Sequence, residues 1–245
     1  YEIADRDWSS DVCSSDLGKK LCIADLNAIE GRVTAWHADE QWALDAYRDF
    51  DNGIGHEMYV MQYAQAFRVK PETVMENDKA GGPMRQVGKV LTLLCGFGGS
   101  VRAVQKGVEL YGLTMNEDDK AAAVKAYRTA NKRTRDYWWT LEDAVKSVIT
   151  TRGGRMTFGK LELRREGAWL RIVLPSGRSL SYAQPRIEDD QFTYMGLNQY
   201  TRKWERIKSY GGKLFENVVQ AIARDVLVEA MKRCEINGFD IVLTV

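Results

Sequence analysis

The sequence predicts an α+β fold, rich in helix, with one small sheet assembled from strands far apart in the chain. Three observations carry that expectation. Apolar residues recur at helical spacing through most of residues 28–150 and again over 211–237. Residues 151–196 switch to alternating apolar and polar positions, punctuated by Arg-Gly-Gly-Arg (152–155) and Pro-Ser-Gly-Arg (175–178), which is the pattern of hairpins. Short apolar runs at 19–24 and 240–245 read as further strands, the first of them buried and ending at Asp25.

Each element has its own justification. Ile29, Val33 and Trp36, then Trp42, Leu44 and Tyr47, give residues 28–50 two helices. Residues 51–55, Asp-Asn-Gly-Ile-Gly, form a turn. Residues 56–68 are amphipathic, with Met58, Met61, Tyr63 and Phe67 facing a core. Gly81-Gly82-Pro83 breaks the chain, and Pro83 suits the first turn of a helix that ends before Gly96-Phe97-Gly98-Gly99. Asn116 followed by Glu117, Asp118 and Asp119 is a favourable start for the helical stretch 116–150. Gly238 closes the last long helix.

Composition narrows the function classes. With 245 residues, 44% hydrophobic and 28% charged, the chain is an ordinary globular one with mass for a real core. No apolar run approaches the roughly 18 residues of a membrane span, and nothing resembles a secretory leader. Four scattered cysteines, no Cys-x-x-Cys and two histidines argue against structural zinc or a disulfide framework, so a reducing, cytoplasmic setting is expected. Residues 1–17 hold five acids and one base, have no period, and resemble a translated sequencing adapter, so they are left out of the fold argument. The remaining 34 basic and 29 acidic groups make a modest cationic excess, compatible with a phosphate-bearing partner.

Two features carry chemistry. Arg85, Lys89 and Phe97 lie at i, i+4 and i+12, with Leu93 at i+8, and successive four-residue steps keep such positions near one helical stripe. Two cations ending in a ring can grip a triphosphate and stack a base, although a solvated charged stripe has the same spacing. Asp25 ends its strand at a mouth where a carboxylate can hold a metal, or it can cap the following helix.

Together these residues match a known pattern. Asp25-Leu-Asn-Ala-Ile-Glu30-Gly-Arg32 resembles motif A of the family A DNA polymerases, D-x-S-Q-I-E-x-R, and the stretch from Arg85 through Lys89 and Leu93 to Phe97 and Gly98 resembles their motif B. Leu-Pro-Ser-Gly-Arg (174–178) and the stretch 211–225 containing Gln220 look like the bacteriophage branch of that family. The resemblance covers nearly all of 18–245 in the family's order.

It implies helix-rich fingers inserted into a small antiparallel-sheet palm: palm in 18–55, fingers in 56–150, hairpins and a second part of the palm in 151–245. It also implies template-directed DNA synthesis from deoxynucleoside triphosphates (dNTPs) on primer-template DNA, with two magnesium ions (Mg2+). Asp25 and the Leu26 carbonyl would be metal ligands. Arg85 and Lys89 would hold the triphosphate, with Lys89 the proton donor to pyrophosphate. Glu30 and Phe97 would exclude a 2′-hydroxyl. Leu93 stands where the family more often has Phe or Tyr, which leaves discrimination against dideoxynucleotides open. Gln220 and Arg178 would meet DNA, and Arg32 would support Glu30 or the DNA. His56-Glu57 only poorly resembles the family's Asp-x-His.

Other readings stay open on the residues alone. Glu30 can be an exposed helix acid, Gln220 a surface glutamine and Arg178 a turn cation. The cluster Arg128, Lys132, Arg133 and Arg135 reads as a solvated basic helix in preference to a template surface. In the family, a strand like 241–245 runs into His-Asp-Glu, which supplies the second metal aspartate; this chain stops one residue short, so by itself it is expected to be inactive. A non-catalytic nucleic-acid-binding remnant and a single-subunit phage RNA polymerase are the rival functions, the latter opposed by Glu30. A phosphate-cradling loop at 96–99 lacks the strand such a loop needs before it.

Overall fold

Apolar spacing and caps set the helices where the sequence puts them. The computed structural model describes residues 22–151 and 153–244. Helices α1 (Ile29–Ala38) and α2 (Gln41–Asp51) occupy 28–50, and α3 (Met58–Phe67) follows the glycine turn. Helix α4 (Pro71–Lys79) opens on a proline at its first turn, α5 (Met84–Val90) follows Pro83, and α6 (Val101–Leu110) follows Ser100. Helix α7 (Glu117–Ala130) is capped by Asn116, whose side chain accepts the Asp119 backbone N–H at 2.8 Å. Helices α8 (Lys132–Thr150) and α9 (Gly211–Ile236) complete the set, and Gly238 beyond α9 has φ of 84°. Among the described residues no helix is long and apolar enough to cross a membrane.

The α+β class stands, but the sheet is built differently from the expectation. Strands β1 (Arg155–Phe158), β2 (Leu161–Glu166), β3 (Trp169–Val173), β4 (Ser179–Glu188), β5 (Gln191–Leu197) and β6 (Trp204–Ser209) pair in sequence order, all antiparallel. It is a meander of neighbours, because each strand meets the next through a short turn and no long loop has to close. Residues 22–26 and 239–244 form no strand, and Ile23 is 85% exposed, so the expected buried strand is absent from its described portion. A strand is held by its ladder, and neither run has a ladder partner among the described residues. Residues 1–21, with the adapter-like leader and the start of that run, lie outside the described part.

The core forms around α8. Thr134, Trp138, Leu141, Val145 and Val148, spaced three or four apart, are all buried. The helix packs against α9 and against β1, β2, β4 and β5. Leu163, Leu170, Ile172, Tyr182 and Phe192 fill the sheet's inner face, and Phe215 of α9 is fully buried among the rings of His37, Phe97 and Tyr137.

His37 carries a titration consequence. Its Nδ1 lies 3.1 Å from the Tyr137 hydroxyl, while Nε2 is buried with no hydrogen-bond partner among the described residues. Burial, and next the nearby Lys160 ammonium, hold the imidazole pKa down to about 4. The folded chain therefore keeps His37 neutral where the unfolded chain, with its value near 6.5, takes up a proton. Stability from this group is complete above that unfolded value and drains away as pH falls toward 4. Between pH 7 and 4.5 the native chain should lose about 2 kcal/mol more unfolding free energy than His37→Gln. Urea titrations across that range check it, and parallel losses in the two proteins would refute it.

Candidate functional site

Motif A enters through a turn. Asp25 is exposed, and the Leu26 carbonyl accepts the Ile29 N–H at 3.3 Å. The residue at the N-cap of α1 is Ala28, in left-handed backbone with no side-chain cap, so Asp25 is not the cap of this helix. Glu30 follows in the first turn, half-buried, and the Gln220 amide of α9 donates to its carboxylate. Two residues singled out separately, 190 positions apart, thus meet. Arg32 instead grips Asp51 with both guanidinium arms at 2.7 Å and lies 4.7 Å over the Tyr47 ring. Its hydrogen bonds to Asp51 hold that carboxyl below the usual range. Of the two roles expected for Arg32, support of Glu30 or contact with DNA, the first is not what its bonds show: it ties the entry of α1 to the end of α2.

Motif B divides into two halves. Arg85 and Lys89 share a face of α5, but the next turn, Leu91–Cys95, is π-helical. Its i→i+5 bonding turns less per residue, which changes the phase at which Leu93 and Phe97 follow the cations. Arg85 is held by Glu57 through paired bonds of 2.7 and 2.9 Å, which raise its pKa further. The Lys89 ammonium sits 5.0 Å from the Tyr111 ring centre and 5.9 Å from that of Tyr59. Helix α3 comes this close because residue 88 is glycine: a Cβ there would lie 2.1 Å from the Tyr59 carbonyl oxygen.

Leu93 and Phe97 lie toward motif A. With Thr92, Tyr127, Glu30 and Gly31 they line one cleft. Its interior volume is about 40 Å³, against roughly 300–1,000 Å³ for ligand pockets, so its floor is closed. Tyr59 stands between the halves. Burial first, then the charge of Glu57 and more weakly Glu30, push its phenol pKa up, while Arg85 opposes them. Sequence reasoning missed Tyr59, Tyr111 and the partnership of Glu57; a tyrosine two residues after an acid on a helix carries no signal until the neighbouring helix is placed.

The remaining candidates are braces. Arg178 bonds Asp225 at 2.7 Å and the Ala221 carbonyl at 2.8 Å, pinning the β3–β4 turn to α9. His56 lies 3.5 Å from Glu72. Gly96 to Gly99 sit between the π-helical turn and α6, with no strand before them. The Asp25 carboxylate and Leu26 carbonyl are hard oxygen donors of the kind magnesium takes, typically beside substrate phosphates. Among the described residues no group of three or more His, Cys, Asp or Glu could enclose an ion, so these donors make part of a site at most.

No protein-family model matches the chain. A DNA polymerase of Bacillus phage SP02 is 38% identical over 236 residues, which is 93% of this chain and 34% of that polymerase. The chain therefore spans about a third of the length of the curated relative it matches, and its similarity is to the DNA polymerase class.

The Glu57 clamp on Arg85 allows a test with an inorganic anion. Inorganic tripolyphosphate should bind Glu57→Gln roughly fivefold more tightly than the native chain, since no carboxylate then competes for the guanidinium, and Lys89→Ala should bind it more weakly. Calorimetric titration decides. Equal affinity in all three would mean that Arg85 and Lys89 take no polyphosphate.

Proposed function

We propose that the chain is the palm and fingers portion of a phage-type family A DNA polymerase, which extends a primer on a DNA template with dNTPs. The observation that carries this reading is the single cleft lined by Glu30 of motif A and by Leu93 and Phe97 of motif B, with Gln220 bonded to Glu30. The similarity to a phage DNA polymerase supports it. On this reading residues 18–55 and the part beyond the hairpins are palm, and 56–150 are fingers.

The roles are those the resemblance implies. Arg85 and Lys89 receive the triphosphate, Arg85 by exchanging Glu57 for phosphate oxygens, and Lys89 donates a proton to the leaving pyrophosphate. Glu30, fixed by Gln220, and Phe97 close the sugar side, so a 2′-hydroxyl meets a carboxylate and a ring. That arrangement disfavours ribonucleotides and hence the RNA polymerase alternative. Leu93 leaves that wall without a second ring. Asp25 and the Leu26 carbonyl are the donors this chain offers to magnesium. Held there, magnesium would lower the pKa of the attacking hydroxyl and offset negative charge on the leaving phosphates. At about 40 Å³ the cleft as it stands is too small to enclose a nucleoside.

A chimera tests the reading: residues 22–244 replacing the matched third of the SP02 phage polymerase. It should extend a primed template with dNTPs and Mg2+. Asp25→Ala should remove activity by roughly a thousandfold or more, as expected when a group stabilising transition-state charge is lost. A folded chimera that binds primer-template but adds no nucleotide, or that loses nothing on Asp25→Ala, overturns the assignment.

A further inference from the structure

The sheet has an outer face that neither the core nor the cleft uses. Strand register places Arg155, Arg164 and Arg171 directly opposite one another on β1, β2 and β3, on the face away from Leu163 and Ile172. The adjacent row runs from Trp169 through Ala183 and Met195 to Arg206. Lys208 and Trp204 stand beside Arg206 on β6 and project to the same side. The floor between these banks is small or neutral: Ser181, Ala183, Thr193 and Met195.

Charge and exposure define what fits. Like charges directly opposite on neighbouring strands destabilise a sheet, and nothing in the core requires three arginines there. Glu162 and Glu166 bridge them at 2.8–3.6 Å, Glu188 lies 3.4 Å from Arg206 and Asp189 3.9 Å from Lys208, yet with Arg186 included six cations face these four acids and the face remains cationic. These ion pairs are partly exposed, and such pairs stabilise weakly, so their cations can exchange a carboxylate for phosphate. The Arg155 and Lys208 side chains, at the two ends, are 67% and 62% exposed. The indoles of Trp169 and Trp204 are 40% and 62% exposed, and Arg171 lies 5.3 Å over the first. Exposed rings between cations stack bases, and only unpaired bases offer their faces. The face is about 24 Å across its six strands, room for several nucleotides.

We infer that the outer face of the β1–β6 sheet is a binding surface for single-stranded DNA, with Trp169 and Trp204 stacking bases and the flanking arginines and Lys208 contacting phosphates. That the strand is DNA, the unpaired template beyond a primer, rests on the polymerase reading; that it is a single-stranded polyanion rests on the sheet alone.

Fluorescence anisotropy of a labelled oligothymidylate of about a dozen nucleotides, titrated with the whole chain, tests this. Trp169→Ala with Trp204→Ala should weaken binding about tenfold or more, and the paired Phe substitutions should restore most of it. Arg155→Gln with Lys208→Gln should lower the slope of log affinity against log salt by about 1.4, at roughly 0.7 per phosphate contact. The glutamine pair lies at exposed ends of the face, so it still tests the surface if the alanine pair unfolds. No binding by the native chain, or unchanged affinity and slope in folded variants, overturns the inference. Loss confined to Lys89→Ala places the oligonucleotide in the cleft, which sinks the sheet proposal and leaves the polymerase reading intact. Loss in the sheet variants, beside a chimera that extends no primer, upholds the surface and sinks the polymerase.

Discussion

The close approach of α9 to α8 and to the end of motif B is the contact on which the rest of the site depends. A Cβ on Gly211 would lie 1.9 Å from the Trp138 carbonyl oxygen, and one on Gly212 would lie 2.2 Å from that of Phe97. Two glycines therefore let backbone meet backbone at a helix start. The Glu142 carboxylate accepts the Gly211 N–H at 2.7 Å and meets the positive end of the α9 dipole. One turn on, Phe215 fills the space among His37, Phe97 and Tyr137, and the Trp138 indole donates to the Gly96 carbonyl at 2.9 Å. Motif A's helix, motif B's end, α8 and α9 are joined at one place. Because α9 is anchored there, Gln220 arrives beside Glu30.

The cations of the site follow a common electrostatic rule. Arg32, Arg85 and Arg178 are each partly exposed, and each is held by one carboxylate: Asp51, Glu57 and Asp225. Pairs of this kind stabilise a fold by about 1 kcal/mol or less. Their larger effect is orientation, since a planar guanidinium held by two bonds is aimed before any ligand arrives. The partners differ in consequence. Asp51 and Asp225 knit neighbouring elements together, whereas Glu57 also stands beside Tyr59 and raises its phenol pKa.

Local rules made much of this legible. Two helices in 28–50, the break at Pro83, the Asn116 cap and the end of α9 follow from periodicity, turn residues and caps. Helices α4 and α6 are short, and α4 carries Glu72, Glu76, Asp78 and Lys79 around one fully buried side chain, Val74, so its apolar signal is faint. The sheet was misjudged because alternation shows that strands exist and says little about which strands pair. The hairpin signals at 151–196 belonged to a meander that continues to Ser209. In the site, Glu30, Leu93, Phe97 and Gln220 were singled out by the family resemblance, and the structure places Glu30 beside Gln220 and in one cleft with Leu93 and Phe97. Tyr59, Tyr111 and the Glu57 clamp were not, because their meaning lies in contacts between α3, α5 and α6 that no single-segment pattern encodes.

One helix serves two purposes along its length. The twelve residues from Arg85 to Phe97 rotate by about 120° in a continuous α-helix, enough to separate the cations from the ring. The widened turn at Leu91–Cys95 adjusts that phase after Lys89. The cations then face Glu57, Tyr59 and Tyr111, while Leu93 and Phe97 face Glu30 and Tyr127. A charged end and a flat apolar end are thus presented on two neighbouring faces of one continuous helical segment, with Tyr59 at the seam. That division suits a ligand with an anionic tail and a ring-bearing head. It also requires the helix to be wedged from both sides: Gly88 admits α3 on the cation side, and Gly212 admits α9 behind Phe97.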